Sequence, residues 1–513
     1  MKFKYLRVIL TMIFAVFVVA CSAEESPTVL FQEDGVRGAG SETKITILHT
    51  NDIHGRVEDG IGFARLATLV EQTRQENSNV LVLDAGDTVH GLPIATTFQG
   101  ESFVRLMNAV GFDAMTAGNH DFNYGWERLV DLDQMADFPI LAANVKDENG
   151  ENILTSYVIK EIDDISIGIF GLSTPETAVK THPQNVEGLT FESPIWHAQE
   201  MVDLLMPQVD IIIAIGHLGV DAESIYTSTR VIDEVDGIDL FIDGHSHTLF
   251  PTGYQQNDTL LVSAGEHLQH LGRVELVIYD GELIEATASV ISVDDVEDVE
   301  ENLEILAIIV ELNHEIEELG SEIIGSTAVR LDGDRELVRT VETNLGNLIA
   351  DVLLWSTGAD IAITNGGGIR DSVEAGTIRV GDINRVFPFG NVIEVREVTG
   401  QIIKDVLEHG TRTYPEESGA FPQVSGLSFV IDVSRPVGDR VVEIMINGAP
   451  LELDGIYRLA TNDFIGAGGD GFDMIEGTPL LTQVTSMSEA LIDFIREQQG
   501  EIVTAVEGRI TSR

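Results

Sequence analysis

A chain of 513 residues is longer than one ordinary hydrophobic core organises, so two domains are expected. Hydrophobic content of 43% with 22% charged residues excludes disorder of the whole chain. The balance of 85 acidic against 30 basic residues, a formal net charge of -55, excludes extended nucleic-acid binding and adhesion to anionic lipid. It leaves open a small phosphorylated ligand, because metal ions and a few arginines set the local potential.

The first predicted element is a processing segment. MKFKYLR is a basic n-region, VILTMIFAVFVVA an apolar h-region, and the polar SAEES follows, a pattern too short and too early for a spanning helix and expected of an export signal over residues 1–20. Cys21, the only cysteine, comes next. The string VVAC resembles the lipobox of bacterial lipoproteins. That resemblance implies an exported protein held in the cell envelope by lipid on Cys21, facing the periplasm or the outside, with no other membrane contact. The alternative is an ordinary cleaved signal with an incidental cysteine. With Cys21 lipidated, no thiol is left for a disulfide, a zinc-thiolate site or a nucleophile, so metals fall to His, Asp and Asn. Residues 21–43 are polar with little periodicity and are expected to be a tether.

From Lys44 the segments KITILHTND, NVLVLDAGDT, DAMTAGNH, PILAANV, ISIGIFGLST, VDIIIAIGHLG and IDLFIDGHSH share one form, an aliphatic run that gives way to a small or polar cluster. These are buried strands bounded by turns, and the intervening FARLATLVEQTRQE and ESFVRLMNAVG have helical spacing, so residues 44–295 are expected to form an α/β domain. An acidic stretch with helical apolar spacing, residues 296–320, is expected to be the interdomain helix or hinge. Residues 321–513 begin again with helix-like TNLGNLIADVLLWSTG, strand-like ADIAITNGGGIRD, further strands and turns, and a last helix near MSEALIDFIREQQG.

The ends of the N-terminal runs carry NDIHG (Asp52, His54), GDT (Asp87), GNH (Asn119, His120), GH (His217) and GHSH (His245, His247). Any one of these histidines alone is as well explained as a core or turn residue. Eight such residues in five motifs, each following an aliphatic run, point to a shared centre, because strand-end loops are where an open α/β sheet gathers its chemistry. Alternate residues of an extended segment point the same way, so Asp52 with His54, and His245 with His247, are expected to aim at one point. Asp87 is the natural carboxylate to bridge two cations, a pair suited to in-line phosphoryl displacement. A set of imidazoles and carboxylates without sulfur admits zinc, manganese, cobalt or iron. His49, His90, His182, His197, His267, His270, His314 and His409 lack the pattern and are expected to be structural.

In combination, NDIHG, DAGDT, GNHDF, GHLG and GHSH resemble the calcineurin-like metallophosphatase superfamily. With TNLGNL, NGGGIRDS, FPFGN and GAGGDGF, the chain from about Lys44 to about Arg509 resembles the bacterial 5'-nucleotidase and UDP-sugar hydrolase family. The resemblance implies an N-terminal metallophosphatase sandwich and an α+β C-terminal substrate domain. It also implies two divalent ions, zinc or manganese foremost, on Asp52, His54, Asp87, Asn119, His217, His245 and His247. His120 would stabilise the transition state or protonate the leaving oxygen. Many relatives have an Asp three residues beyond this His, and here the position is Asn123, a neutral amide that still orients His120 but leaves it a poorer cation. Relatives acting on 2',3'-cyclic nucleotides share the Asn form. Asp121 is an unpromising substitute, since neighbouring side chains diverge.

In the second half, the three glycines of NGGGIRDS permit close backbone approach, and Arg370 offers a fork of donors, but the spacing fits neither a dinucleotide fingerprint nor a Walker loop. The resemblance implies that Arg339, Asn365 and Arg370 hold the terminal phosphate. It also implies that Phe389 and Phe464 sandwich the nucleobase and that Asp470 contacts the sugar. Ordinary core packing is the alternative for the two rings, and Asp463 is a departure from the usual motif. The function expected is hydrolysis of nucleoside 5'-monophosphates, with nucleoside diphosphates or UDP-sugars as further substrates. The alternatives are a 2',3'-cyclic-nucleotide 2'-phosphodiesterase with 3'-nucleotidase activity, a thiosulfohydrolase-like relative, and a surface-binding lipoprotein without catalysis. The composition fixes neither the oligomeric state nor the metal.

Overall fold

The computed structural model describes residues 29–30, 42–181, 183–221, 224–498 and 501–513. The export signal, Cys21, most of the 21–43 segment and His182 lie outside the described residues. Among the described residues no helix is long and apolar enough to cross a membrane.

The N-terminal half is built on two sheets packed face to face. In the first, the strands Glu42–Thr50, Val80–Asp84, Ala114–Thr116 and Ile140–Leu141 run parallel, flanked by the antiparallel His270–Tyr279 and Glu282–Ser292. Val29–Leu30 pairs with Ala286 and Glu285 at the outer edge. In the second, Ile165–Ser173, Ile211–His217, Leu240–Asp243 and Thr259–Val262 run parallel between antiparallel edge strands. Strand residues alternate faces, so Ile45, Ile47, Leu81, Leu83, Ile169, Ile213 and Ile242 fill the layer between the sheets. Leu48, Val82 and Met115 turn outward to helices carrying Phe63 and Phe103, while Phe170, Ala214 and Phe241 meet the helix over Pro194–Leu205. Burial on both faces is why these strands read as unbroken aliphatic runs. The seven strand-like segments of the sequence all contain strands.

Leu303–Gly320 is one helix, started by Asn302, whose side chain accepts from the backbone of Glu304 and Ile305. Its Ile305, Ile309 and Leu312 enter the N-terminal core, and its last residue, Gly320, lies against Gly381 of the second half.

The C-terminal half centres on a five-stranded sheet in the order Pro422–Ser425, Ile361–Asn365, Ile456–Asn462, Val392–Thr399, Leu480–Ser486, mostly antiparallel. Helices Asn344–Thr357 and Met487–Glu497 share one core with it, and Gly400–Gly410 lies in another. Thr343 caps the first helix, and Ser486 with Glu489 forms a capping box on the second. The architecture is the two-domain α/β sandwich plus α+β domain anticipated from the sequence.

Candidate metal centre and cleft

The parallel strands of both sheets end on one side, and their following loops converge there. Asp52 and His54 follow Thr50, Asp87 follows Asp84, Asn119 and His120 follow Thr116, His217 closes its own strand, and His245 and His247 follow Asp243. Two groups form. The ligand atoms of Asp52, His54 and His247 all lie within 4.8 Å of one another, as do those of Asp87, His217 and His245. The groups adjoin, since Asp52 Oδ1 is 3.9 Å from His54 Nε2, 3.9 Å from His217 Nε2 and 3.5 Å from His247 Nε2.

The backbone that aims them differs from the extended segments expected. Asp52, His54, Asp87, His245 and His247 all have positive φ, between 51° and 77°. Left-handed backbone costs a non-glycine residue energy and persists where surroundings enforce it, as at functional sites. Here neighbouring loops enforce it: Asp52 N–H donates to Gly86 O and His54 N–H to Asp87 O, each at 2.9 Å. Gly118 is needed for close approach, since a Cβ there would sit 2.2 Å from Asp87 Oδ1.

The donors suit divalent cations. His217 Nδ1–H donates to Ala85 O at 2.6 Å, which turns Nε2 inward, 3.0 Å from Asp87 Oδ2. Asn119 gives an amide N–H to Lys180 O at 3.3 Å, so its Oδ1 faces the centre. Asn119 Oδ1 is buried without a hydrogen-bond partner among the described residues, and the buried His217 Nε2 faces the Asp87 carboxylate. His54 Nε2 and His247 Nε2 face each other at 3.3 Å. Burial opposes charge on His217, yet Asp87 and Asp52 push its pKa up to about 10: two buried carboxylates demand positive charge beside them, which cations supply.

Outer residues that the sequence did not single out hold this set. His247 Nδ1 meets Glu266 Oε2 at 2.7 Å, and His245 Nε2 meets Glu176 at 3.2 Å and Lys180 at 2.9 Å. Asp121, fully buried, accepts four backbone N–H groups at 2.8–3.1 Å, from Asp87, Thr88, Val89 and Gly118. It is no partner for the His120 ring, as expected, but it locks together the two loops that carry Asp87 and Asn119. Replacing Glu266 by Gln is expected to weaken binding of one cation about 10–100-fold while the other is unaffected, as read by metal titration.

His120 lines the same cleft, its pKa drawn down to about 4 by burial. Asn123 Nδ2 lies 3.1 Å from His120 Nδ1. His90 and His267, expected to be structural, also line the cleft; His90 stacks on His120 and His267 packs edge-on against His54. His49 and His197 do behave as structural residues, the first buried against Gly272 and the second held between Glu192 and Glu200.

The cleft, about 850 Å³, continues into the second domain, where Arg339, Asn365, Arg370, Phe389, Phe464 and Asp470 all line it. Phe389 and Phe464 are 45% and 43% exposed, which removes the core-packing alternative for both rings. Arg370 lies over the Phe389 ring at 5.3 Å. Arg339 has a buried Nε without a hydrogen-bond partner among the described residues, and burial together with Arg335 and Arg370 lowers its pKa, so an anion would be welcome there. Asn365 Nδ2 donates to Asp470 at 3.0 Å. Asp463, the departure noted above, accepts from Asn391 Nδ2 and from Phe464 N–H, each at 2.8 Å, and so ties the two phenylalanine loops together.

Residues 45–249 match the calcineurin-like phosphoesterase family, and residues 323–477 match the 5'-nucleotidase C-terminal domain. The 5'-nucleotidase of Diplobatis ommata is 32% identical over 92% of this chain and 90% of its own. The trifunctional nucleotide phosphoesterase protein YfkN of Bacillus subtilis is 33% identical over 91% of this chain, which spans only 35% of that longer protein. Among solved structures, the 5'-nucleotidase precursor from Thermus thermophilus is 30% identical, with a TM-score of 0.56 over 92% of this chain and 99% of that one. A phosphoesterase domain with paired metal-binding groups is a metal-dependent phosphoesterase, and the chain as a whole belongs to the 5'-nucleotidase family.

Proposed function

We propose that this phosphoesterase acts on nucleotides and releases phosphate from nucleoside 5'-monophosphates, with nucleoside diphosphates and UDP-sugars as further substrates. The observation that carries the reading is one cleft lined at once by His54, Asp87, His245 and His247, by Arg339 and Arg370, and by two exposed phenylalanines. Two divalent cations, zinc or manganese foremost, supply an activated water and neutralise phosphoryl charge when held by Asp52, His54, Asp87, Asn119, His217, His245 and His247.

The chain's own residues do the rest. Arg339, Asn365 and Arg370 grip the terminal phosphate with directional donors. Phe389 and Phe464 stack on the base, which fixes the distance from base to phosphorus, and Asp470, tethered by Asn365, faces the sugar hydroxyls. His120 acts at the oxygen where charge develops as the P–O bond breaks. The N-terminal signal pattern and Cys21 support an exported enzyme, lipid-anchored in the cell envelope.

Phe464→Ala is expected to raise KM for AMP about 10–100-fold, one stacked base being worth about 1–3 kcal/mol, while ribose 5-phosphate, which has no base, is turned over as before. Equal losses on both would count against the stacking role.

The substrate is tested by phosphate release with added Mn²⁺ or Zn²⁺ from AMP, 3'-AMP, 2',3'-cyclic AMP and UDP-glucose in parallel. AMP is expected to dominate. The neutral Asn123 beside His120 favours a second reading, cyclic and 3'-nucleotide hydrolysis, and dominance of those substrates would establish it. Inertness toward all four would overturn both.

A further inference from the structure

Asp470, on the wall of the cleft, has φ 54° and ψ 15°, in the left-handed region that costs a non-glycine residue energy unless its surroundings enforce it. Two groups from other elements hold it there. Asn365 Nδ2 donates to its Oδ2 at 3.0 Å, and His409 Nε2 meets its backbone carbonyl oxygen at 2.8 Å. A carbonyl oxygen only accepts, so Nε2 of His409 carries a proton and donates it to this bond.

We propose that His409, expected from the sequence to be structural, is a positioning residue for the sugar. Its hydrogen bond keeps Asp470 in the left-handed turn that presents the carboxylate to the ribose hydroxyls, and so sets how strongly the site prefers ribonucleotides to nucleotides that lack those hydroxyls. The inference rests on the reading of Asp470 as the residue that faces the sugar.

An element away from the cleft fixes His409. It is the penultimate residue of the helix Gly400–Gly410, whose Ile403 and Leu407 share a core with Phe472, two residues beyond Asp470. Its neighbour Glu408 ties down the end of that helix, the buried carboxylate accepting the N–H groups of Arg440 and Val441 at 2.9 Å each. Arg412 Nη1 donates to His409 O at 2.8 Å. The imidazole packs on Phe472 with ring centroids 4.9 Å apart, and Gly471 admits it, since a Cβ there would lie 2.9 Å from His409 Cε1. His409 is not among the described residues that line the cleft, so its influence on a ligand passes through Asp470. Asn365 takes one carboxylate oxygen and leaves Oδ1 for the sugar. With the backbone released, the carboxylate would pivot about that single bond and lose its charge-assisted hydrogen bonds to a vicinal diol, which need the acceptor held to a fraction of an ångström.

The test is steady-state kinetics of the manganese-loaded enzyme on AMP and on 2',3'-dideoxy-AMP, for the native chain, His409→Leu and His409→Gln. Leucine keeps apolar contact with Phe472 and has no donor, whereas glutamine gives up the ring but carries an N–H near the place of Nε2. His409→Leu is expected to raise KM for AMP about tenfold with kcat near native, and to leave KM for the dideoxy substrate as it was. His409→Gln is expected to recover most of the native preference. A Leu enzyme with native KM on both substrates would overturn the proposal. So would Leu and Gln enzymes impaired alike, which is the pattern that loss of ring packing alone would give. A native enzyme that turns over both substrates with equal KM would overturn the sugar role of Asp470 and this inference with it. A native enzyme inert toward both would overturn the nucleotidase reading, and the inference would fall with it.

Discussion

Asp87→Asn is expected to lower kcat for phosphate release about 10³-fold and to leave one tightly bound cation where the native chain holds two. Asp87 is 2% exposed, its Oδ2 is 3.0 Å from His217 Nε2, and its Oδ1 accepts the His120 backbone N–H at 2.7 Å. Burial alone would raise its pKa, but the His217 and His120 imidazoles hold it well below the usual carboxylate range, so it is the fixed negative charge of the centre. The amide keeps the volume and the acceptor toward His120 while removing that charge. Charge stabilisation by cations in such centres is worth several kcal/mol, and a loss of about 4 kcal/mol is about 10³ in rate. Metal content by elemental analysis and initial rates on AMP check it together. Two retained cations with a rate within tenfold of native would show that Asp87 is not the carboxylate on which the pair depends.

The second large effect belongs to a residue that touches no substrate. Asp121→Ala is expected to destabilise the N-terminal domain by about 4 kcal/mol, because it strands four buried backbone N–H groups, each costing about 1–3 kcal/mol before water or relaxation recovers part. Burial, then the nearby Asp87, raise the Asp121 pKa to about 6, a cost the fold bears for those four hydrogen bonds. Asp121→Asn, with one acceptor oxygen in place of two, is expected to lose roughly half as much. Since Asp121 joins the loops of Asp87 and Asn119, metal affinity should fall with stability. Hydrogen exchange at Asp87, Thr88, Val89 and Gly118 reads this directly, and protection unchanged in Asp121→Ala would contradict it.

These two residues mark the border of what the sequence discloses. Asp87 was legible because a metal ligand at a strand end leaves a local trace: an aliphatic run, a glycine, then a side chain able to bind metal, repeated at Asn119, His217 and His245 and, without the glycine, at Asp52. The strands were legible for a related reason, since layers buried on both faces force continuous Ile, Leu and Val. Asp121 was not, because its partners are mostly backbone N–H groups more than 30 residues away, and a backbone donor has no residue type. Glu266 and Glu176 escaped likewise, as carboxylates in a chain with 85 acidic residues. His90 read as a lone histidine because its partner Glu489 comes from the other domain. The left-handed backbone at Asp52, His54 and Asp87 was also hidden, since strand alternation suggested the same convergence by a different geometry.

Two cations are expected side by side in the interdomain cleft, one on each of the two ligand groups. Anomalous diffraction from manganese- or zinc-soaked crystals, collected at the metal edge, tests it most directly. Two peaks are expected, one within bonding distance of Asp52, His54 and His247 and the other of Asp87, His217 and His245. A single peak, or metal bound away from these six side chains, would contradict it.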